Sequence, residues 1–400
     1  MSEVAQVPQL RFPEFSGEWE DGKLGNYGNL INGLTYSPDN IVDDGLLVLR
    51  SSNVQNGQIY LNDNVYVNLD VDDAALTRED DILICVRNGS KRLIGKSTII
   101  NKNLPKSTHG AFMTVFRGES NKFISHWFHS SIYYKEVHKN LGATINSING
   151  SDLKKFKTIF PLKPEQQRIA AFLTAVDNKI EQLSKKQALL GSWKKGLMQQ
   201  IFSQATRFKA DDDSEFPDWE ERVLGDYLAH KSKKNKNNEV DLVLSVSNKK
   251  GFITQDEQFD GYQVASKDLT NYKIVEKGEY AYNPSRINVG SIARLKNNTI
   301  GIVSPMYVVF KLKNLDSIFF DNLYQTHLFK HLIKVGCSGS VRDSLNFNDM
   351  ADFVFSFPSL EEQAKIVNFL SSIDSKIEQV GKQLDESKQF KKALLQQMFV

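Results

Sequence analysis

The chain has 400 residues, 40% hydrophobic and 24% charged, and its 50 Lys and Arg against 48 Asp and Glu leave a net charge of only +2. That length predicts two or more domains. That balance excludes a molecule that is basic all over, so any nucleic-acid surface must be a local patch.

The first residues, Met1 to Leu10, are polar with Pro8 among them, unlike a signal peptide. No apolar run approaches the roughly 20 residues of a membrane-spanning helix, so the chain reads as cytoplasmic with no membrane partner. A globular segment is predicted over residues 1–160. Asp81-Ile82-Leu83-Ile84-Cys85-Val86, Ile99-Ile100 and Phe112-Met113-Thr114-Val115-Phe116 read as buried strands, with turns at Asn56-Gly57 and Asn88-Gly89. A helix is predicted over 123–139. Cys85, like Cys337 far downstream, has no partner at metal-ligand spacing and reads as a partly buried thiol in a reducing cytosol.

A long helix is predicted within 161–204. Ile169, Leu173, Val176, Ile180, Leu183, Leu190, Leu197 and Ile201 recur at alternating steps of three and four, with Gln187 and Lys194 in the gaps. That is a narrow coiled-coil seam, not the wider stripe of a surface helix. Pro164 suits the first turn. Gly191 and Gly196 each weaken the helix by about 1 kcal/mol, which predicts a bend or a frayed end. A second globular segment follows over 205–357, with a strand at Met306-Tyr307-Val308-Val309-Phe310 and a helix over 321–334. The last stretch, 358–400, is a second helix. Its seam is Ile366, Leu370, Ile373, Ile377, Val380, Leu384, Leu394 and Met398, and Ser359-x-x-Glu362 has the form of a capping box at its start.

The second half repeats the first. Pro161, Glu165-Gln166, Ile169, Phe172-Leu173, Asp177 and Lys179-Ile180-Glu181-Gln182 return as Pro358, Glu362-Gln363, Ile366, Phe369-Leu370, Asp374 and Lys376-Ile377-Glu378-Gln379, always 197 residues on (358 − 161 = 197). The match extends into the segment edges. Trp19-Glu20 returns as Trp219-Glu220, Ser147-Ile148-Asn149 as Ser344-Leu345-Asn346, and Phe160 as Phe357, but it fades between the edges. Like edges around unlike centres suit one scaffold carrying two specificities. Each helix offers one seam, and pairing the two buries both. Related segments joined this way tend towards pseudo-two-fold symmetry, hence an antiparallel coiled coil. The predicted fold class is α+β: two mixed α/β domains joined by two long helices.

Chemistry concentrates in the centres. From Ile84 to Lys106 there are six basic residues and no acid, including Arg87-Asn88-Gly89-Ser90-Lys91-Arg92 and Lys96. From Tyr280 to Leu315 there are five basic residues and again no acid, including Asn283, Ser285, Arg286, Asn288 and Arg294. Arg and Asn read guanine and adenine edges, and Lys beside glycine suits phosphates. One such run alone reads as a solvated loop; two at equivalent places favour DNA. A third basic run holds Lys231, Lys233 and Lys234, and a small-residue loop precedes the last strand of each half, with Thr144 and Asn146 in one and Ser340 and Arg342 in the other. Those loops also read as turns closed by side-chain hydrogen bonds.

Catalysis finds little support. Phosphate-loop, nucleophile-elbow and zinc-protease motifs are absent. Asn283-Pro284-Ser285 is only superficially similar to the Asn-Pro-Pro-aromatic motif of adenine methyltransferases, lacking its second proline and its aromatic residue. The seven histidines form no triad or metal set, although His126 and His129, and His327 and His331, could share helix faces.

The chain closely resembles the specificity subunit of type I restriction-modification enzymes over nearly its whole length. The likeness rests on Pro161-x-x-x-Glu165-Gln166-x-x-Ile169-x-x-Phe172-Leu173 and its copy from Pro358, each followed by Asp-x-Lys-Ile-Glu and by Lys-Lys-x-Leu-x-Gln-Gln-x-Phe. The opening Leu10-Arg11-Phe12-Pro13-Glu14-Phe15-x-Gly17-x-Trp19 adds to it. The resemblance implies two target-recognition domains (1–160 and 205–357), each reading one half of an asymmetric bipartite site in double-stranded DNA. It implies that the helices (161–204 and 358–400) set the spacer and dock two modification subunits, which carry S-adenosylmethionine and the adenine methylation chemistry. Two restriction subunits with ATP and Mg would add translocation and cleavage, and this chain would hold no cofactor and catalyse nothing itself. Two rival readings are a subunit that itself methylates adenine, and a scaffold whose globular parts bind something other than nucleic acid.

Overall fold

The computed structural model describes residues 7–141, 146–254, 268–337 and 344–400. Two compact units form, residues 1–185 with 380–400, and residues 186–379. Each therefore holds one globular segment with part of both long helices.

In the first unit an antiparallel sheet is built from β1 (Gly28–Asn32), β2 (Ile82–Cys85), β3 (Ser97–Ile99) and β4 (Met113–Gly118), in the order β1-β4-β2-β3. The unbroken apolar run in β2 has a simple cause. Ile82 and Ile84 face a core with Phe116 and Trp127, while Leu83 and Cys85 face another with Leu47 and Val115. A strand covered on both faces has no polar side to alternate with. In the second unit β5 (Leu228–Lys231), β6 (Tyr280–Tyr282), β7 (Ile292–Arg294) and β8 (Val308–Leu312) take the same order, β5-β8-β6-β7. Here Tyr280 and Tyr282 face one core and Ala281 the other. The repeated edges also meet: Glu20–Lys23 pairs with Lys157–Phe160, and Glu220–Val223 with Val354–Phe357.

Several expectations are corrected. The helix predicted over 123–139 is two helices, α1 (Asn121–Trp127) and α2 (Ser131–Asn140). The Ser130 hydroxyl accepts the Tyr133 amide and caps α2, a bond that competes with continuing α1. Its counterpart over 321–334 is also broken, into α4 (Ser317–Leu323) and α5 (His327–Cys337), where the Thr326 hydroxyl accepts the Phe329 amide. The strands expected from Phe112 and Met306 begin at Met113 and Val308, and both leading residues are exposed, by 56% and 60%.

The long helices are α3 (Lys163–Phe202, 40 residues) and α6 (Leu360–Gln397, 38 residues). The fray expected at Gly191 and Gly196 is absent, since α3 runs unbroken through both. The buried Met198 and Ile201 beyond them outweigh two glycine costs of about 1 kcal/mol each. Half of the expected capping box forms. The Ser359 hydroxyl accepts the Glu362 amide at 3.2 Å, but the Glu362 carboxylate turns away to Arg207 and Trp219.

The helices pair antiparallel within each unit. In the first, Ile169 and Leu173 near the start of α3 share a core with Leu394 and Met398 near the end of α6, and Asp177 meets Lys391 at 2.6 Å. In the second, Met198 and Ile201 share a core with Ile366, Leu370 and Ile373, and Lys194 meets Asp374 at 2.7 Å. The two ion pairs are copies of one another, each residue returning 197 positions on (374 − 177 = 391 − 194 = 197). Of the remaining predicted seam positions, Leu183 and Val380 are buried, while Val176, Ile180 and Ile377 are half-buried.

Candidate nucleic-acid interface

The loop between β2 and β3 is fastened from behind. The backbone amides of Val86 and Arg87 both donate to the Phe112 carbonyl, at 3.0 and 3.1 Å. The Asn88 amide group donates to the Ser51 hydroxyl, and its side-chain oxygen accepts the Ser90 amide. Asn146 donates to the Gly89 carbonyl at 2.9 Å, and the Ile148 amide to the Val86 carbonyl. Two separately predicted loops thus meet. The side chains of Arg87, Ser90, Lys91 and Arg92 are left exposed.

The loop between β6 and β7 repeats this pattern with other residues. The Asn283 side-chain oxygen accepts the Ser285 amide, as Asn88 does for Ser90. The Leu345 amide donates to the Pro284 carbonyl, as Ile148 does to Val86. The Ser291 hydroxyl donates to the Val246 carbonyl and anchors the far end, where Gly290 takes the left-handed φ of +94° that favours glycine. Ser285, Arg286 and Asn288 are exposed, and Asn283 half-buried. Because the two sheets share one strand order, the loops leave equivalent places.

Other predicted residues have partners within their own domain, although Lys233 and Lys234 stay exposed. Arg294 sits on the buried Asp321 at 2.7 Å and on the Ser317 hydroxyl, so its guanidinium belongs to the domain interior rather than to an outward face. Lys96 donates to the Ser51 carbonyl at 3.3 Å, and burial pushes its pKa down. Lys231 and Lys233 pair with Glu279 and Glu276 at 3.7 and 3.8 Å, and Lys234 donates to Asn271. Thr144, Ser340 and Arg342 lie outside the described residues.

Two of the histidines, His126 and His129, are structural. His126 is buried against the Thr174 hydroxyl, and His129 bonds the Ser125 carbonyl. Burial, then the Lys391 charge, pushes the His126 pKa down to about 3. Cys85 and Cys337 are buried and not disulfide-bonded. Among the described residues no group of three or more metal-ligating side chains gathers, and no helix is long and apolar enough to cross a membrane.

The repeated Glu-Gln pairs are joints that seat the helices on the globular segments. Glu165 takes the Arg11 guanidinium at 2.7 and 2.8 Å and the Trp19 indole N–H at 3.4 Å; Gln166 donates to the Pro161 carbonyl. Glu362 takes Arg207 and the Trp219 indole N–H, and Gln363 donates to the Pro358 carbonyl. Phe12 and Phe208, each next to its arginine, stand edge-on to Phe172 and Phe369. Sequence reasoning missed Arg207 and Phe208. The signal was there, since Arg11-Phe12 recurs as Arg207-Phe208, 196 residues on (207 − 11 = 196).

Two copies of one α+β module, each fastened to a helix by the same buried joint, define a duplicated specificity scaffold. The chain belongs to the type I restriction modification DNA specificity domain family, whose model matches residues 16–190 and 217–386. It is similar to the type I restriction enzyme EcoKI specificity subunit of Escherichia coli K12, with 32% identity over 196 residues, 43% of this chain and 42% of that one. It thus spans under half the length of that relative. Its match to the MjaVIII specificity subunit of Methanocaldococcus jannaschii is 23% identical and covers 96% of this chain and 92% of the other. In fold it is similar to the type I restriction-modification S subunit from M. genitalium, with a TM-score of 0.59 at 16% identity, over 98% of this chain and 99% of the other.

Proposed function

We propose that this chain is the non-catalytic, cytoplasmic DNA-reading subunit of a type I restriction-modification complex. Each globular segment reads one half of an asymmetric bipartite site in duplex DNA. The observation that carries this reading is the pair of acid-free loops, 86–96 and 283–291. They share a strand order and fastening scheme yet differ in the side chains they present. In a chain of a DNA specificity family, equal scaffolds with unequal tips suit two different half-sites. Arginines and asparagines on such tips match purine edges, and lysines match phosphates.

On this reading α3 and α6 set the spacer between half-sites and dock two modification subunits. Those supply S-adenosylmethionine and adenine methylation, and two restriction subunits add ATP- and Mg-dependent translocation and cleavage. Half-sites one helical turn apart are separated by about 34 Å, and a 40-residue helix is about 60 Å long, so a helical spacer is dimensionally adequate. Methylome sequencing of cells carrying the chain with its modification subunits tests the reading. The expected result is one bipartite adenine-methylated motif, whose spacer changes when four residues are inserted in α3. No bipartite motif and no bipartite footprint would support a scaffold instead, and methylation by the purified chain alone would support an enzyme.

A further inference from the structure

Each globular segment exposes a large apolar side chain beside its basic loop, at the same place in the fold, and the second loop also exposes Val289. Phe112 immediately precedes β4, and Met306 stands two residues before β8. The strand registers make them equivalent. Phe116 pairs with Ile82 on one side and Leu30 on the other, Phe310 with Tyr280 and His230, and Phe112 and Met306 both lie four residues earlier. They are 56% and 60% exposed.

Single exposed apolar residues are common and by themselves need no explanation. Two observations set this pair apart. Each touches a loop residue already placed at the candidate interface. The Arg87 guanidinium lies 5.7 Å over the Phe112 ring, and the Asn283 side-chain amide lies 3.9 Å from the Met306 sulfur. Each also lies inside a stretch without a single carboxylate, between Asp81 and Glu119 in one segment and between Glu279 and Asp316 in the other. An apolar tip beside a guanidinium in one segment and beside an amide in the other, each within an acid-free stretch of sequence, suits a polyanion that offers apolar surface. Duplex DNA does so through thymine methyl groups and base faces. The Phe112 backbone is also held in place, because its carbonyl receives the amides of Val86 and Arg87.

We infer that Phe112 and Met306 are specificity-determining contacts, each making the apolar contact to a base in its own half-site. The inference rests on the DNA-reading function proposed above. Both residues were expected inside buried strands, and only the exposed start of each run shows them to be surface tips.

The test uses the full chain with its modification subunits and the bipartite motif mapped for the native protein. Phe112→Ala is expected to weaken binding about tenfold, the scale of 1.4 kcal/mol, or to relax the motif, in the first half-site only. Met306→Ala is expected to do the same in the second half-site only. Phe112→Tyr and Met306→Leu restore the native motif. Replacing thymine with uracil in the affected half-site reproduces the loss if the contact is to the methyl group. If it does not, a rise in 2-aminopurine fluorescence at the contacted step identifies insertion between bases. An unchanged motif and affinity in both alanine variants, or equal loss in both half-sites, overturns the inference. A native protein with no bipartite motif overturns the DNA-reading proposal itself. Should either alanine variant melt early, Phe112→Ser and Met306→Gln, read the same way, decide the matter.

Discussion

The Arg207 guanidinium meets the fully buried Glu362 carboxylate at 2.8 Å, and the same pairing joins Arg11 to Glu165 at the start of the other helix. A carboxylate without solvent depends on its partner. Arg207→Ala leaves Glu362 with the Trp219 indole, so we expect a loss of about 3 kcal/mol or more, the scale of breaking a buried pair. Glu362→Gln, which keeps an acceptor for Trp219, should cost less. Replacing both with apolar residues should recover part of the loss. Urea denaturation of the native chain, Arg207→Ala, Glu362→Gln and the variant carrying both of these substitutions forms a double-mutant cycle, and additive losses would show that the pair is not coupled.

Acid should destabilise the first unit through its buried histidines. The folded pKa of His126 lies near 3, and that of His129 is also lowered, by burial first and Lys391 second. The unfolded chain takes up these protons below about pH 6.5 while the folded chain does not. Stability is therefore full above that pH and falls as the pH drops, by up to about 1.4 kcal/mol per unit for His126, until about pH 3. His126→Asn should flatten the profile, since Asn322 stands at the equivalent place in the other segment, its amide donating to the Ile318 carbonyl. Thermal melts between pH 7 and pH 5 that run parallel in the two proteins would count against this.

The glycines of α3 should be improvable. A Cβ added at Gly191 or Gly196 meets nothing within 4 Å, and both are in an unbroken helix. Alanine at each is expected to raise stability by about 1 kcal/mol, by reducing the freedom of the unfolded chain. A lower melting temperature in the double variant would mean that these glycines have another role.

Arg87, Arg286 and Arg294 should separate by function. Arg286→Ala and Arg87→Ala are each expected to relax one half-site, losing about 1–3 kcal/mol of discrimination there, with the other half-site still read. Arg294→Ala should instead lower stability, because Asp321 is left with Lys296 alone of its two cationic partners. Methylation of a randomised site library reports the first effect and thermal melting the second. Loss at both half-sites in Arg286→Ala would point to misfolding.

By itself the sequence determined the duplication, the two helices, their seams and the placing of a basic, acid-free stretch in each half. These are local or periodic properties, written in neighbouring residues. Tertiary structure alone decided which charges face inwards. Arg286 and Arg294 are eight residues apart in the same stretch, yet one is exposed and the other is bound to Asp321. It also decided where the predicted strands begin, and so exposed Phe112 and Met306. The Glu-Gln signature was legible as a motif, but its role was not. Glu165 answers Arg11 across 154 residues and Glu362 answers Arg207 across 155. No local pattern records such a distance, because the partner is chosen by burial after the chain has folded.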